Sequence, residues 1–117
     1  MAQKFFTDGS NILALVSGDG ELGTLKELRA GTTDAATEKH VPVYETANGV
    51  CTVKIGSAAH PMLEEHSINW VVVVTNKGTY TKYLAPGTEP AARFLLDEDE
   101  TVENVFEYCN LHKLWKA

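Results

Sequence analysis

Ile68-Asn69-Trp70-Val71-Val72-Val73-Val74-Thr75, followed by Asn76-Lys77-Gly78 and then Thr79-Tyr80-Thr81-Lys82-Tyr83-Leu84, decides the fold class. The first stretch is dense in β-branched residues, which suit a pleated surface better than a helix. Asn76-Lys77-Gly78 is a turn signal, and the alternation after it reads as another strand. Outward from this pair, Val50 to Ile55 alternates in the same way, and Ala92 to Leu96 and Val102 to Tyr108 read as further short strands. Pro86-Gly87 and the acidic run Asp97 to Glu100 lie between them. Short strands separated by turns predict an all-β chain, an antiparallel sandwich. Leu22 to Arg29 is compatible with a helical turn, a strand or a loop.

Composition sets the outer bounds. With 117 residues the chain is one domain with room for a small appendage. It is long enough to bury a core without metal or disulfide staples. The formal net charge of −6, with no basic block to offset it, argues against nucleic acid or an anionic membrane as partner. The longest apolar run, Trp70 to Val74, is strand length, far short of the ~20 residues of a membrane span. Met1 to Phe6 lacks the long apolar stretch of a secretory signal, so the cytoplasm is the expected compartment. In that reducing setting Cys51 and Cys109 read as free thiols or metal ligands. Cys51, inside an alternating strand, reads as a packing residue. A seam falls at Gly31-Thr32-Thr33-Asp34. The segment before it carries the turn clusters Asp8-Gly9-Ser10-Asn11 and Ser17-Gly18-Asp19-Gly20, is too short to fold alone, and is expected to pack on the main domain or on a second subunit.

The chain has 4 histidines, each in a short motif. His40 lies in Glu38-Lys39-His40-Val41-Pro42, and His60 in Ala59-His60-Pro61-Met62. His66 opens His66-Ser67-Ile68-Asn69-Trp70, and His112 closes Cys109-Asn110-Leu111-His112. A lone histidine is ordinarily a surface or satisfied core residue, and a lone cysteine a small buried hydrophobe. Several histidines beside proline or cysteine at loop–strand junctions point instead to a metal site, because a stiffened backbone holds an imidazole in one pose. Cys109-x-x-His112 lets a tight turn aim sulfur and imidazole at one ion. His40, His60, His66, Cys109 and His112 are one donor too many for tetrahedral zinc, and imidazole also suits copper and iron. Blue copper would add a weak axial methionine, and no methionine follows His112. Spacing and composition lean towards iron or zinc and do not choose between them.

Taken in order, these motifs resemble the superoxide reductase family of desulfoferrodoxins and neelaredoxins, from about Thr32 to the C-terminus. The resemblance implies an immunoglobulin-like antiparallel β-sandwich carrying one mononuclear non-haem iron, cycling between ferrous and ferric. It implies His40, His60, His66 and His112 as equatorial ligands, the Cys109 thiolate as the axial one, and a sixth position open to superoxide. The implied reaction is one-electron reduction of superoxide to hydrogen peroxide, a detoxifying step. Lys39 is similar to the family's lysine beside the open position, where a cation attracts the anion and organises water for protonation. Glu38 is similar to the glutamate that ligates the iron once it is ferric. A local cation also explains how a net-acidic chain would draw in an anion, since salt screens charges beyond about 8 Å.

The segment before the seam resembles the small desulforedoxin-like domain of two-iron members, without its cysteines. Asn11-Ile12-Leu13 and Gly20-Glu21-Leu22 look like pieces of it, Phe6 and Gly9 stand where a Cys-x-x-Cys would be, and Gly23-Thr24-Leu25 follows where the later pair is missing. Residues 1–36 are therefore expected to be a degenerate segment lacking an iron site, and 37–117 the iron-binding sandwich. With only Cys51 besides Cys109, a four-thiolate site cannot form within one chain. The electron is expected to come directly from an external donor, rubredoxin by family analogy, and the same analogy implies a homo-oligomer, dimer or tetramer. The amides of Asn110 and Leu111 are expected to donate to the Cys109 sulfur. Trp70 and Trp115 each lie close to a ligand motif and read first as core aromatics that need no function, with shielding of one side of the iron from water as the second reading. Lys113 departs from the family's glycine and puts a positive charge next to the site. Two readings from other classes stand beside this one: a cupredoxin-like copper electron carrier using Cys109 and two histidines, and a zinc-stabilised or metal-free β-sandwich interaction module.

Overall fold

The computed structural model describes residues 3–117. β1 (Lys4–Thr7), β2 (Ile12–Leu15) and β3 (Lys26–Leu28) make a small sheet in the order β2-β1-β3. A single helical turn, α1 (Thr37–His40), leads into β4 (Pro42–Ala47), β5 (Val50–Ile55), β6 (Ile68–Thr75), β7 (Thr79–Tyr83), β8 (Ala91–Leu95), β9 (Val102–Cys109) and β10 (Lys113–Lys116). These form two sheets, β4-β5-β8 and β10-β9-β6-β7, with antiparallel pairing throughout. The chain is the expected antiparallel sandwich. Leu22 to Arg29 resolves into the short strand β3 after a turn in which Leu25 N–H donates to Leu22 O at 3.1 Å.

β5 and β8 contribute Cys51, Val53, Ile55, Ala92 and Phe94 to the interior, and β6 and β9 contribute Ile68, Val71, Val73, Val105 and Cys109. Cys51 is the packing residue its strand pattern suggested. A second cluster forms on the outer face of the larger sheet, where Phe5 packs with Val72, Val74, Phe106 and Leu114. The N-terminal sheet thus covers the sandwich of its own chain. Strand β6 is buried on both faces, which is why its valines run unbroken instead of alternating.

The β1–β2 connection is closed by a carboxylate. Asp8 Oδ1 accepts from the N–H groups of Ser10 (2.8 Å) and Asn11 (2.7 Å). Those bonds, that of Asn11 foremost, hold the Asp8 carboxyl down at about 2. At the far end of the sandwich, Glu100 accepts from Tyr80 Oη at 2.5 Å, from Asp97 N–H at 2.9 Å and from the Thr75 hydroxyl, tying the acidic loop to the β6–β7 turn. The other end is left to the histidine-bearing loops.

One carboxylate sits inside the sandwich. Glu107 is fully buried, lies between Val105 and Cys109 on the interior face of β9, and has no hydrogen-bond partner on either oxygen. Burial raises its pKa from 4.5 to about 9, so it is neutral at pH 7. The folded state keeps a proton that the unfolded state loses above its ordinary pKa, so stability falls as pH rises between those two values. Glu107→Gln, which stays neutral, should gain on wild type by up to about 1.4 kcal/mol per pH unit across that window. Urea titrations at pH 6 and pH 8 at matched metal loading check this. A wild-type-minus-variant difference that does not change with pH contradicts it.

Candidate metal centre

Each candidate donor stands where a strand begins or ends at one end of the sandwich. His40 closes α1 just before β4, His60 follows β5, His66 precedes β6, Cys109 ends β9 and His112 precedes β10. The pairing of Ile68 with Cys109 brings the start of β6 against the end of β9, and the pairing of Pro42 with Ile55 does the same for β4 and β5.

The four imidazoles form a closed ring. Centroids are 4.7 Å apart for His40–His60, 4.6 Å for His60–His66, 5.2 Å for His66–His112 and 4.8 Å for His40–His112. Neighbours meet nearly edge-on, at 77–86°, whereas His40 and His66, across the ring, are 6.5 Å apart and tilted by only 29°. Ligand atoms of His40, His66, Cys109 and His112 all lie within 4.8 Å of one another. His60 joins them through Nε2, 3.5 Å from the Cys109 sulfur. The five predicted donors therefore converge.

Nearby groups set which nitrogen faces inward. His40 Nδ1 lies 2.7 Å from Ala36 O and His60 Nδ1 lies 2.6 Å from Pro61 O, so each must donate there and leave Nε2 as an acceptor. His112 differs: its Nδ1 points inward, 3.1 Å from His40 Nε2 and 4.0 Å from the Cys109 sulfur. His66 Nε2 is buried and has no hydrogen-bond partner. Burial lowers the pKa of His40 and His66 and brings His60 down to about 4, and mutual repulsion among the rings adds to this. Neutral imidazoles are the form that ligates a metal. Burial raises the Cys109 thiol, and a cation beside it would reverse that preference. An orphaned imidazole nitrogen, inward-turned neutral rings and a buried thiol together fit a bound metal ion, and the mixed nitrogen–sulfur set is one that iron accepts.

Two details refine the sequence-based expectations. The Cys109 sulfur accepts from the N–H of His112 at 3.4 Å, with Leu111 N–H adding to it, whereas Asn110 N–H turns to Ser67 O at 3.2 Å. Of the tryptophans, only Trp115 reaches the site: it stacks on His40 at 4.8 Å, and its Nε1 donates to His112 O at 2.9 Å. Trp70 instead stacks between Phe5 and Tyr108 on the outer face, because a bulge between Ile68 and Trp70 shifts the face it occupies. Glu38 and Lys39 are exposed on α1; the Glu38 charge acts on His40 and the Lys39 charge on His66.

The fold and donor set define a β-sandwich metalloprotein with a histidine–cysteine centre at one end. The desulfoferrodoxin family profile matches residues 32–117, and the chain belongs to that family. It is 46% identical over 114 residues to the desulfoferrodoxin of Nitratidesulfovibrio vulgaris, covering 93% of this chain and 88% of that one. Among solved structures, the superoxide reductase from Treponema pallidum superposes with a TM-score of 0.88 at 36% identity, covering 100% of this chain and 99% of that one. The superoxide reductase (neelaredoxin) from Archaeoglobus fulgidus superposes with a TM-score of 0.60 at 28% identity, covering 69% of this chain and 86% of that one.

Lys113, at the turn after His112, has a φ of 67°, the left-handed region that favours glycine. A side chain there costs roughly 1–2 kcal/mol, partly offset by the greater chain entropy glycine must lose. Lys113→Gly should therefore raise stability by up to about 1 kcal/mol, seen as a higher melting temperature. A lower melting temperature would mean that the lysine's contacts outweigh its backbone strain.

Proposed function

We propose that this chain is a superoxide reductase, with one mononuclear iron held by His40, His60, His66, His112 and the thiolate of Cys109. The observation that carries the reading is the closed ring of four inward-turned imidazoles beside a buried thiol. When bound, the iron supplies the single electron that superoxide takes up.

The residues supply the rest. Ala36 O and Pro61 O hold the His40 and His60 rings with their lone pairs inward. Cys109 gives up its proton on metal binding and adds the negative charge that favours release of an anionic product. Lys39, exposed and felt at His66, draws the superoxide anion towards the open side and holds the water that delivers protons. Glu38, next to it, offers a hard carboxylate to that side between turnovers. One superoxide, one electron and two protons give one hydrogen peroxide.

The chain's cysteines are Cys51 and Cys109, and Cys51 is buried in the sandwich core, which supports an external electron donor. We read that donor as rubredoxin, the compartment as the cytoplasm, the assembly as a homodimer or homotetramer, and residues 1–36 as a degenerate desulforedoxin-like segment attached to the 37–117 iron domain. The copper reading loses its axial ligand, because Met62 packs against the sandwich core and its sulfur accepts the Ile68 N–H at 3.4 Å. Four convergent imidazoles exceed what a structural zinc site uses.

Peroxide yield tests the reading. With a chemical reductant present, each superoxide consumed should give one peroxide; one peroxide per two superoxides, with dioxygen released, would make the protein a dismutase. Lys39→Ala should slow the second-order reaction about ten-fold at low salt and flatten its dependence on ionic strength. Pulse-radiolysis rates unchanged in both respects would remove Lys39 from the mechanism.

A further inference from the structure

Three of the candidate ligands are held by groups that touch them directly. His40 and His60 have carbonyl partners for Nδ1, and His112 is gripped through its backbone, its N–H on the Cys109 sulfur and its C=O on Trp115. No hydrogen bond to either ring nitrogen of His66 occurs among the described residues. Its ring pose must therefore come from its backbone.

That backbone is fixed from both sides by one side chain. Asn110 Nδ2 donates to Glu65 O at 3.1 Å, and Asn110 Oδ1 accepts from Ser67 N–H at 3.0 Å. Glu65 O belongs to the peptide entering His66, and Ser67 N–H to the peptide leaving it. A single planar amide thus holds the two peptide groups whose rotations define φ and ψ of His66. The backbone N–H of Asn110 adds a third bond, to Ser67 O at 3.2 Å. The opposite edges of the same two peptide groups, His66 N–H and His66 C=O, face the other way and exchange bonds with Leu63 at 3.2 and 2.9 Å. Asparagine suits the task because one end of its amide accepts and the other donates; aspartate supplies only the acceptor at neutral pH and alanine supplies neither. Asn110 also sits between Cys109 and His112, so the clamp ties His66 to the turn bearing two other ligands.

We propose that Asn110 is the positioning residue for His66, standing in for the ring hydrogen bond that His66 lacks; this rests on the iron-site reading above. Outer groups that orient a metal-bound histidine typically change metal affinity by about 10–100-fold. The test is iron release from the loaded, full-length protein into excess chelator. Asn110→Ala should release iron at least about ten-fold faster than wild type, with Asn110→Asp between the two. The decisive arm is a double-mutant cycle with His66→Ala. If Asn110 acts through His66, adding Asn110→Ala to His66→Ala should leave the release rate unchanged. If Asn110 only stabilises the fold, its effect should persist in the His66→Ala background and scale with the fall in melting temperature of the metal-free protein, and the proposal fails. Release rates unchanged in both single variants overturn it equally, and should Asn110→Ala fail to fold, the cycle is run with Asn110→Asp. A wild-type chain that takes up no iron would remove the iron-site reading itself, an outcome distinct from wild-type loading with an indifferent Asn110.

Discussion

Four imidazoles crowded around a buried thiol form an arrangement suited to a bound cation. Adjacent rings sit 4.6–5.2 Å apart, so a proton on one opposes a proton on the next, and burial opposes the charge on His40, His60 and His66. The inward ring nitrogens therefore converge, and that of His66 has no partner. A hydrophobic contact would not leave the His66 nitrogen unpartnered, because a buried polar atom without a partner costs about 1–3 kcal/mol. The other features of this end follow from that demand: carbonyls behind two rings, amide donors on the sulfur and Trp115 against His40.

The sandwich supplies the rigidity. The donors come from three separate stretches of the chain, around His40, His60 to His66, and Cys109 to His112, and strand pairing brings those stretches together. Strand β6 anchors the whole, with Val71 and Val73 in the interior and Val72 and Val74 under the N-terminal sheet. That sheet folds without thiolate ligands. Asp8 closes its first turn and Phe5 pins it to Phe106 and Trp70, with ring centroids 5.0 and 5.5 Å away. Its role visible in the structure is to cover an apolar face.

The donors were legible in the sequence because each lies in a compact motif, and loop–strand junctions are where a fold displays such groups. Strands β5 to β9 were legible through alternation and β-branching. β4 was not, since five of its six residues are exposed and leave almost no hydrophobic pattern. A sharper signal lay beside it: Asn48-Gly49, with φ of 52° and 76°, is the two-residue turn that joins β4 to β5. The tryptophans were indistinguishable by sequence distance, because a bulge decided which face Trp70 occupies. The same limit applied to the sulfur's donors. Spacing says that three amides follow Cys109, but only the turn geometry sends that of Asn110 to Ser67 and that of His112 to the sulfur.

In the proposed centre all four imidazoles and the thiolate bind one and the same iron. X-ray absorption at the iron edge of the reduced, iron-loaded protein tests it most directly. The reduced protein should hold one iron per chain, its inner shell containing a single sulfur and four nitrogens with the outer-shell scattering of imidazole. An inner shell without sulfur, or with clearly fewer than four imidazoles, would contradict it.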